Sequence, residues 1–564
     1  MPHPALHQRV RVEVPTETTW SGPVAGNVAR SFDDDFRVET ESVNGGYTVT
    51  YEYDPDSLVT RVDQASGPEL DLQRNAGAGF GAGLLTGTTQ GVIATTETPS
   101  PFGELESLVA TENSNPLYTL DVGARDALGR IETKIETLGA GSPVSTVYTY
   151  DAAGRLDTVT VDSTLTADYA YDANGNRIHE REDLAGPSIA VYDDQDRLLS
   201  YAGTSYTYSA AGDLETSTHA TGTTTYGYDA LGNLRSVVLP DGEQIEYGID
   251  GHNRRVAKKV CPAPCTPPAT PQPVQGFLYG DPLRIVAELD ASNDVVSRFV
   301  YATRPNVPDF LVKDGTTYRI LSDQVGSVRL VVNADTGAIA QRIDYDAFGN
   351  VLADTSPGFQ PFGFAGGLMD PDTGLVRFGA RDYDPRVGRW TSKDPIRFQG
   401  DATNLYGYSL ADPVNILDSN GLWATTAEGY IPPGVPILGG LGLRGSLGYT
   451  GEGRFFLSFG AGVGYGASFT PFDPDGEPPG YADQCRGMGP GLNLSLIGSG
   501  GFGGGLAGID ASKRLGFGVD WSRGPSPYVF NETIPPDRNL GLGSNTNRVG
   551  LSGSATVNLT LIGK

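Results

Sequence analysis

Histidine, cysteine and methionine are nearly missing from this chain. Its 564 residues include five His, three Cys and three Met, and only four Trp. The five His (His3, His7, His179, His219 and His252) all lie in the first half, so residues 423–564 have none. A segment without His holds neither a His-x-Glu zinc deaminase centre nor a Ser/His hydrolase. With Cys485 as its single cysteine, it also lacks a Cys-ligated zinc site. Long hydrophobic runs are absent too: no apolar stretch approaches the roughly 20 residues of a membrane-spanning helix. The opening MPHPALHQRVRVEV carries no secretory signal core. No sustained 3.6-residue period occurs, which excludes a fold built on long amphipathic helices. No cofactor and no metal are assigned.

Basic charge is also short, with 40 Lys+Arg against 68 Asp+Glu. The imbalance is uneven. Residues 423–564 carry 9 basic and 10 acidic side chains, so residues 1–422 hold a net charge of −27 out of −28. A body this acidic repels phosphate backbones and anionic lipid, which excludes nucleic-acid binding by that body. Solubility alone accounts for such a charge; an acidic wall around a charged cargo is the sharper reading. The sequence leaves membrane contact open. Cys261 and Cys265 flank Pro-Ala-Pro and either close a local disulfide in an oxidising compartment or stand as two unpaired thiols in a loop.

What the chain has in quantity is Gly (76), Pro (39) and Tyr (27), a composition of strands and turns. From Tyr148 a repeat is explicit. Tyr148-Thr-Tyr150-Asp151-Ala-Ala-Gly154-Arg155 is followed by units at Tyr169-Ala-Tyr171-Asp172, Tyr192-Asp193, Tyr206-Thr-Tyr208 and Tyr226-Gly-Tyr228-Asp229. The second Tyr advances by 21, 21, 16 and 20 residues. Tyr-x-Tyr places two rings on one strand face. Asp then accepts backbone N–H groups at a turn, and Gly three residues on takes a positive φ. Each unit is a hairpin that buries its face only against its neighbours.

The densest motif cluster runs from Gly379 to Leu422: FGARDYDPRVGRW just before and into it, then SKDPI, NLYGY, DPVN and a terminal GL. This stretch resembles the core domain of RHS (rearrangement hotspot, YD-repeat) proteins, among them Tc-toxin C subunits and bacterial polymorphic toxins. The resemblance implies a mainly β fold in which YD-repeat hairpins spiral into a hollow or partial β-shell. It also implies an Asp pair that cuts the chain after the final Leu and leaves the freed segment in the shell. Carried over, the pair is Asp394 and Asp418, the cleavage site is Leu422–Trp423, and Arg389 is the candidate for orienting the carboxylates. The chemistry is coherent, since two neighbouring carboxyls sharing a proton supply both base and acid for hydrolysis. Two departures stand out: Arg397 where Gly is usual, and Ser419 where Pro is usual. The alternative is that both Asp residues cap turns and nothing is cut.

The expected organisation is an N-terminal β region of degenerate repeats (1–147), YD repeats (148–260), a Pro-rich loop (261–275), shell strands (276–378), a core plug (379–422) and a variable tail (423–564). In the tail, apolar and small residues alternate, as in GLNLSLIGSG, which predicts a small Gly-rich antiparallel β domain. No activity is assigned to it. The leading functional expectation is a shell that encloses or presents its own C-terminal segment as cargo, in toxin delivery or cell-contact competition. It would be secreted or displayed at the cell surface by a non-classical route, with a secretion apparatus and an immunity protein as partners. The alternative is a non-catalytic surface or adhesion-type repeat protein with a structural β cap.

Overall fold

The computed structural model describes residues 16–75, 83–100, 102–182, 188–397 and 403–422. It also describes strand backbone at 425–426, 438–449, 455–465, 491–499, 513–520, 526–533 and 554–562. The chain divides into two compact units, Met1–Gly434 and Val435–Lys564.

The first unit is a meander of antiparallel strands in chain order. One 16-stranded sheet runs from Glu17–Trp20 to Ser188–Ile189, and a second runs from Val191–Tyr192 to Val351–Asp354. Among the described residues there is no α-helix. The repeat chemistry explains the regularity. Asp151 Oδ1 accepts the amides of Ala153 and Arg155 at 2.9 and 3.0 Å, and Gly154 turns the chain at φ +90°. Arg155 Nε then donates to Asp151 Oδ2 at 2.7 Å. Its guanidinium lies 4.7 Å from the Tyr171 ring of the next unit, whose hydroxyl donates back to Leu156 O at 2.8 Å. The same bond back to the preceding turn recurs at Tyr53, Tyr150 and Tyr192, which donate to Val38 O, Ile131 O and Arg177 O. The Asp turn with its Arg partner also appears upstream of the explicit repeats, at Asp33–Arg37 and Asp126–Arg130, within the region the sequence shows only as degenerate repeats. Cys261 and Cys265 are disulfide-bonded, Cα atoms 5.5 Å apart. Strand pairing resumes at Gln272, opposite Val260, so the Pro-rich loop is shorter than its composition suggests.

The second sheet returns onto the first in register with it. Ala25 bonds to Asn293, Glu41 to Arg298, Gln64 to Thr317 and Thr88 to Arg319, across 268, 257, 253 and 231 residues. Partner numbers rise together, so both sheets run the same way where they meet. Apolar side chains from both fill the junction. Trp20, Val28 and Val43 pack with Phe277 and Leu278, Val62 and Leu70 with Val300 and Phe310, and Leu108 and Leu120 with Leu321 and Leu330. Burying each such side chain contributes about 1.5–3 kcal/mol. Glu41 is buried in this junction. Burial pushes its carboxyl up, but the guanidiniums of Arg298 and Arg30 more than offset this and hold it at about 2.

Residues 368–390 form a small four-stranded sheet, Leu368–Met369, Val376–Phe378, Arg381–Asp384 and Arg389–Trp390. Its aromatic core joins Tyr383, Trp390 and Tyr408, with the two tyrosine rings 4.3 Å apart. This stretch and the loops after it lie across the repeats, starting against Lys258 and ending against Tyr150, a broadly reversed path with local exchanges of order. Asp370 meets Lys258, Asp382 meets Arg255, Arg377 meets Asn233, Tyr406 meets Gly212, Asn404 meets Asn176, and Asn415 meets Tyr150. Asn176, Gly212 and Asn233 are turn residues, so residues 377–415 rest on the rim formed by the Asp turns.

In the second unit, six strand backbones form one antiparallel sheet. Their order is Leu438–Tyr449, Phe455–Tyr465, Ser554–Ile562, Gly491–Ser499, Lys513–Asp520 and Ser526–Thr533.

Candidate functional site: a buried carboxylate pair on one arginine

Asp394 and Asp418 lie 24 residues apart, and the fold brings them to the same nitrogen. Arg381 Nη2 stands 2.9 Å from Asp394 Oδ2 and 3.2 Å from Asp418 Oδ2. Three local features build this convergence. The strand Arg381–Asp384 pairs with Val376–Phe378, placing Arg381 opposite Phe378, and its guanidinium lies 4.2 Å from the Trp390 ring. Asp394 sits at a turn where its Oδ1 accepts Ile396 N at 2.9 Å and its own amide donates to Leu405 O at 3.0 Å. Residues 418–422 then press against 378–381. Gly379 and Gly421 permit this approach, because a Cβ on Gly379 would stand 2.4 Å from Asn420 O and one on Gly421 2.5 Å from Phe378 O.

All three charged groups are buried, with side-chain exposures of 3% for Arg381, 10% for Asp394 and 4% for Asp418. Burial pushes the Asp394 carboxyl up, against the opposing pull of Arg381 and with a further push from Asp418. Burial likewise lowers Arg381 below its ordinary value, while both carboxylates draw it back up. Two carboxyls and one guanidinium balance in a low-dielectric site when one carboxyl keeps its proton.

The site also grips the chain just before the expected cut. Arg381 Nε donates to Gly421 O at 2.5 Å, and the Leu422 amide donates to Asp418 Oδ1 at 3.0 Å and to Asn420 Oδ1 at 2.9 Å. The Gly421–Leu422 peptide is thus held on both faces, one bond upstream of Leu422–Trp423. Leu422 borders a cavity of about 350 Å³ lined also by Ser419, Asn420, Phe378, Phe362 and His252. Trp423 lies outside the described residues.

The arginine that bonds both carboxylates is Arg381; Arg389, the candidate from the sequence, does not reach them. Arg389 lies on the next strand, where its guanidinium donates to Asp196 O and sits 4.8 and 5.1 Å from the Tyr192 and Tyr406 rings. It docks this segment on the repeat rim. The motif FGARDYDPRVGRW contains both arginines, and a four-residue strand buried on both faces gives no alternation to say which one turns toward the carboxylates. Arg397, where Gly is usual, adopts φ +54°, the left-handed region that favours Gly at a cost of about 1–2 kcal/mol for other residues. Among the described residues no group of three or more His, Cys, Asp or Glu is arranged to hold a metal.

Residues 85–414 match the family described as Teneurin YD-shell. Teneurin-3 of Danio rerio is 29% identical over 345 residues, covering 55% of this chain and 12% of that protein. Double-stranded DNA deaminase toxin A of Burkholderia cenocepacia is 29% identical over 316 residues, covering 50% of this chain and 21% of that protein. Among solved structures, the Photorhabdus luminescens Tc holotoxin pore aligns with a TM-score of 0.58 at 18% identity, over 71% of this chain and 21% of that one. The chain therefore spans about a fifth or less of the length of these proteins.

Proposed function

The chain belongs to the Teneurin YD-shell family, and from that premise we propose that its repeats form a shell that encloses or presents the segment after Leu422. The shell serves toxin delivery or cell-contact competition, and Asp394 and Asp418 release the segment by cutting Leu422–Trp423. One observation carries the cutting: two buried carboxylates share Arg381 Nη2 while Asp418 also holds the Leu422 amide. Water adds to the Leu422 carbonyl carbon and gives its proton to Asp418. Asp394, whose burial favours the protonated form, gives its proton to the leaving nitrogen as the C–N bond breaks. Arg381 keeps both carboxyls in place. The delivery reading is supported by the likeness to a deaminase toxin and by the Tc-toxin fold. On this reading the protein reaches the cell exterior by a non-classical route, with a secretion apparatus and an immunity protein as partners.

A second reading has its own support. The strained Arg397 beside Asp394, and Ser419 after Asp418 where Pro is usual, favour an uncut surface or adhesion-type shell whose tail is a fixed cap. Intact mass of the purified chain under denaturing conditions separates the two. Two masses matching a cut after Leu422, collapsing to one in Asp394→Asn and Asp418→Asn, support self-processing. A single full-length mass in the wild type removes it and leaves the fixed-cap reading.

A further inference from the structure

Asp418-Ser-Asn-Gly421-Leu422 is another copy of the turn that closes the repeat hairpins. In the copy Asp172-Ala-Asn-Gly175-Asn176, Asp172 Oδ1 accepts the amide four residues on at 2.9 Å, and Gly175 takes φ +82°. At the expected cut, Asp418 Oδ1 accepts the Leu422 amide at 3.0 Å and Gly421 takes φ +68°. One side-chain acceptor closes such a turn. It comes from the first position at Asp172, where Asn174 in the third position donates to Asp196 instead. It comes from the third position in Leu239-Pro-Asp241-Gly-Glu243, where the first side chain is apolar and Asp241 Oδ1 accepts the Glu243 amide at 3.0 Å. The turn at Asp418 uses both positions: Asn420 Oδ1 also accepts the Leu422 amide, at 2.9 Å. Asn420 is itself fixed, since its carbonyl accepts Ala380 N at 2.9 Å and Arg381 Nε holds the next carbonyl, that of Gly421, at 2.5 Å. Beyond the turn, Leu417 pairs with Thr425 and Ile416 with Thr426, which closes the loop across the expected cut.

A second acceptor adds little to the turn, but it matters to the reaction. On the self-processing reading given above, on which this inference rests, Asp418 takes a proton from the attacking water. A carboxylate that gains a proton becomes a weaker acceptor, so its grip on Leu422 slackens as the new C–O bond forms. The amide oxygen of Asn420 does not titrate. We propose that Asn420 is a positioning residue of the cleavage site, which keeps the Leu422 amide seated while Asp418 changes charge. The water oxygen bonds to the Leu422 carbonyl carbon and one water proton goes to Asp418. The C–N bond to residue 423 breaks as its nitrogen takes the proton of Asp394. Asn420 exchanges no proton in these transfers; it holds the reacting residue in place, where a small displacement is costly in rate.

The test follows cutting in full-length chains made by cell-free synthesis. Translation is arrested, the pH is stepped between 4.5 and 8.5, and the cut chain is quantified over time by intact mass for the wild type, Asn420→Ala and Asn420→Asp. Thermal midpoints of the same substitutions are measured in the uncut Asp394→Asn background. In Asn420→Ala the rate at pH 7.5 is expected to fall about three- to tenfold, the fold-change that one neutral hydrogen bond represents. The midpoint stays unchanged, because Asp418 still closes the turn. Asn420→Asp keeps an acceptor in the same place. Its rate is expected to return to near wild type at pH 7.5 and to fall more steeply towards pH 4.5, because this acceptor weakens on protonation; a packing role creates no such limb. An unchanged rate in Asn420→Ala overturns the assignment and leaves self-processing intact. A lower rate with a fallen midpoint, no recovery in Asn420→Asp, or recovery without the steeper acid limb overturns it likewise. A wild type that is never cut removes both this proposal and the reading beneath it.

Discussion

Asp412 offers a quantitative test of how residues 403–422 are seated. The carboxyl is 1% exposed and accepts two bonds from Asn415 Nδ2, at 2.8 and 3.0 Å. Asn415 in turn donates to Tyr150 Oη at 2.7 Å and accepts Ile131 N at 2.8 Å, tying this loop to the repeats. Burial raises Asp412 from 3.8 to about 6, with Asn415 and Arg130 pulling the other way. A raised folded-state value means that the stabilisation is complete below the unfolded value, near pH 4, and is lost as pH rises through about 6. The full shift of about two units corresponds to about 3 kcal/mol. Between pH 4.5 and 7.5 the loss is about 2 kcal/mol, or roughly thirtyfold in the opening equilibrium, because the unfolded group is already partly ionised at pH 4.5. The assay is amide hydrogen exchange by mass spectrometry on peptides covering 405–418, corrected for intrinsic rates. Wild-type protection in this segment falls by roughly that factor, relative to Asp412→Asn, as pH rises. The substitution keeps much of the bonding and removes the titration. Equal pH dependence in the two proteins refutes the reasoning.

Arg381→Gln leaves two buried carboxyls without their cation and costs about 3–5 kcal/mol. Thermal melts are expected to show the loss growing from pH 4 to pH 7, together with failure to process. Lys258→Met strands Asp370, which is 5% exposed and bonded to Lys258 at 2.7 Å, again at about 3–5 kcal/mol near neutrality. Burial raises Asp370, but Lys258 outweighs it and holds the carboxyl below its ordinary value. The pair's stabilisation is therefore present above the ordinary carboxylate range and lost in acid, so the difference between variant and wild-type melting points is expected to shrink towards pH 3. Equal differences at pH 3 and pH 7 count against the pairing.

The local unit was readable because its causes are local. Tyr, Asp, Gly and Arg within eight residues specify a turn whose bonds are nearly all internal, and the structure repeats that turn from Asp33 onward. The approach of Asp394 to Asp418 was named through a family likeness, since nothing in a spacing of 24 residues dictates it. The choice of arginine was not readable. Arg381 and Arg389 sit on adjacent short strands, and what separates them is distant chain: Gly421 and Asp418 for one, Asp196 and Tyr192 for the other. The return of the second sheet onto the first was equally hidden, because bonds across 231–268 residues leave no periodic trace.

The reversed path of residues 370–415 over the repeat rim has a consequence for the order of assembly. Its anchors are spread from Lys258 back to Ile131, so it seats fully only when every hairpin in that interval has already formed. Several of those hairpins also lean on the tyrosine that follows, since Tyr150, Tyr171 and Tyr192 donate to Ile131 O, Leu156 O and Arg177 O. Arg381, Asp394 and Asp418 thus meet in a stretch whose seat is shared among many hairpins, so a missing hairpin removes part of the support beneath that pair.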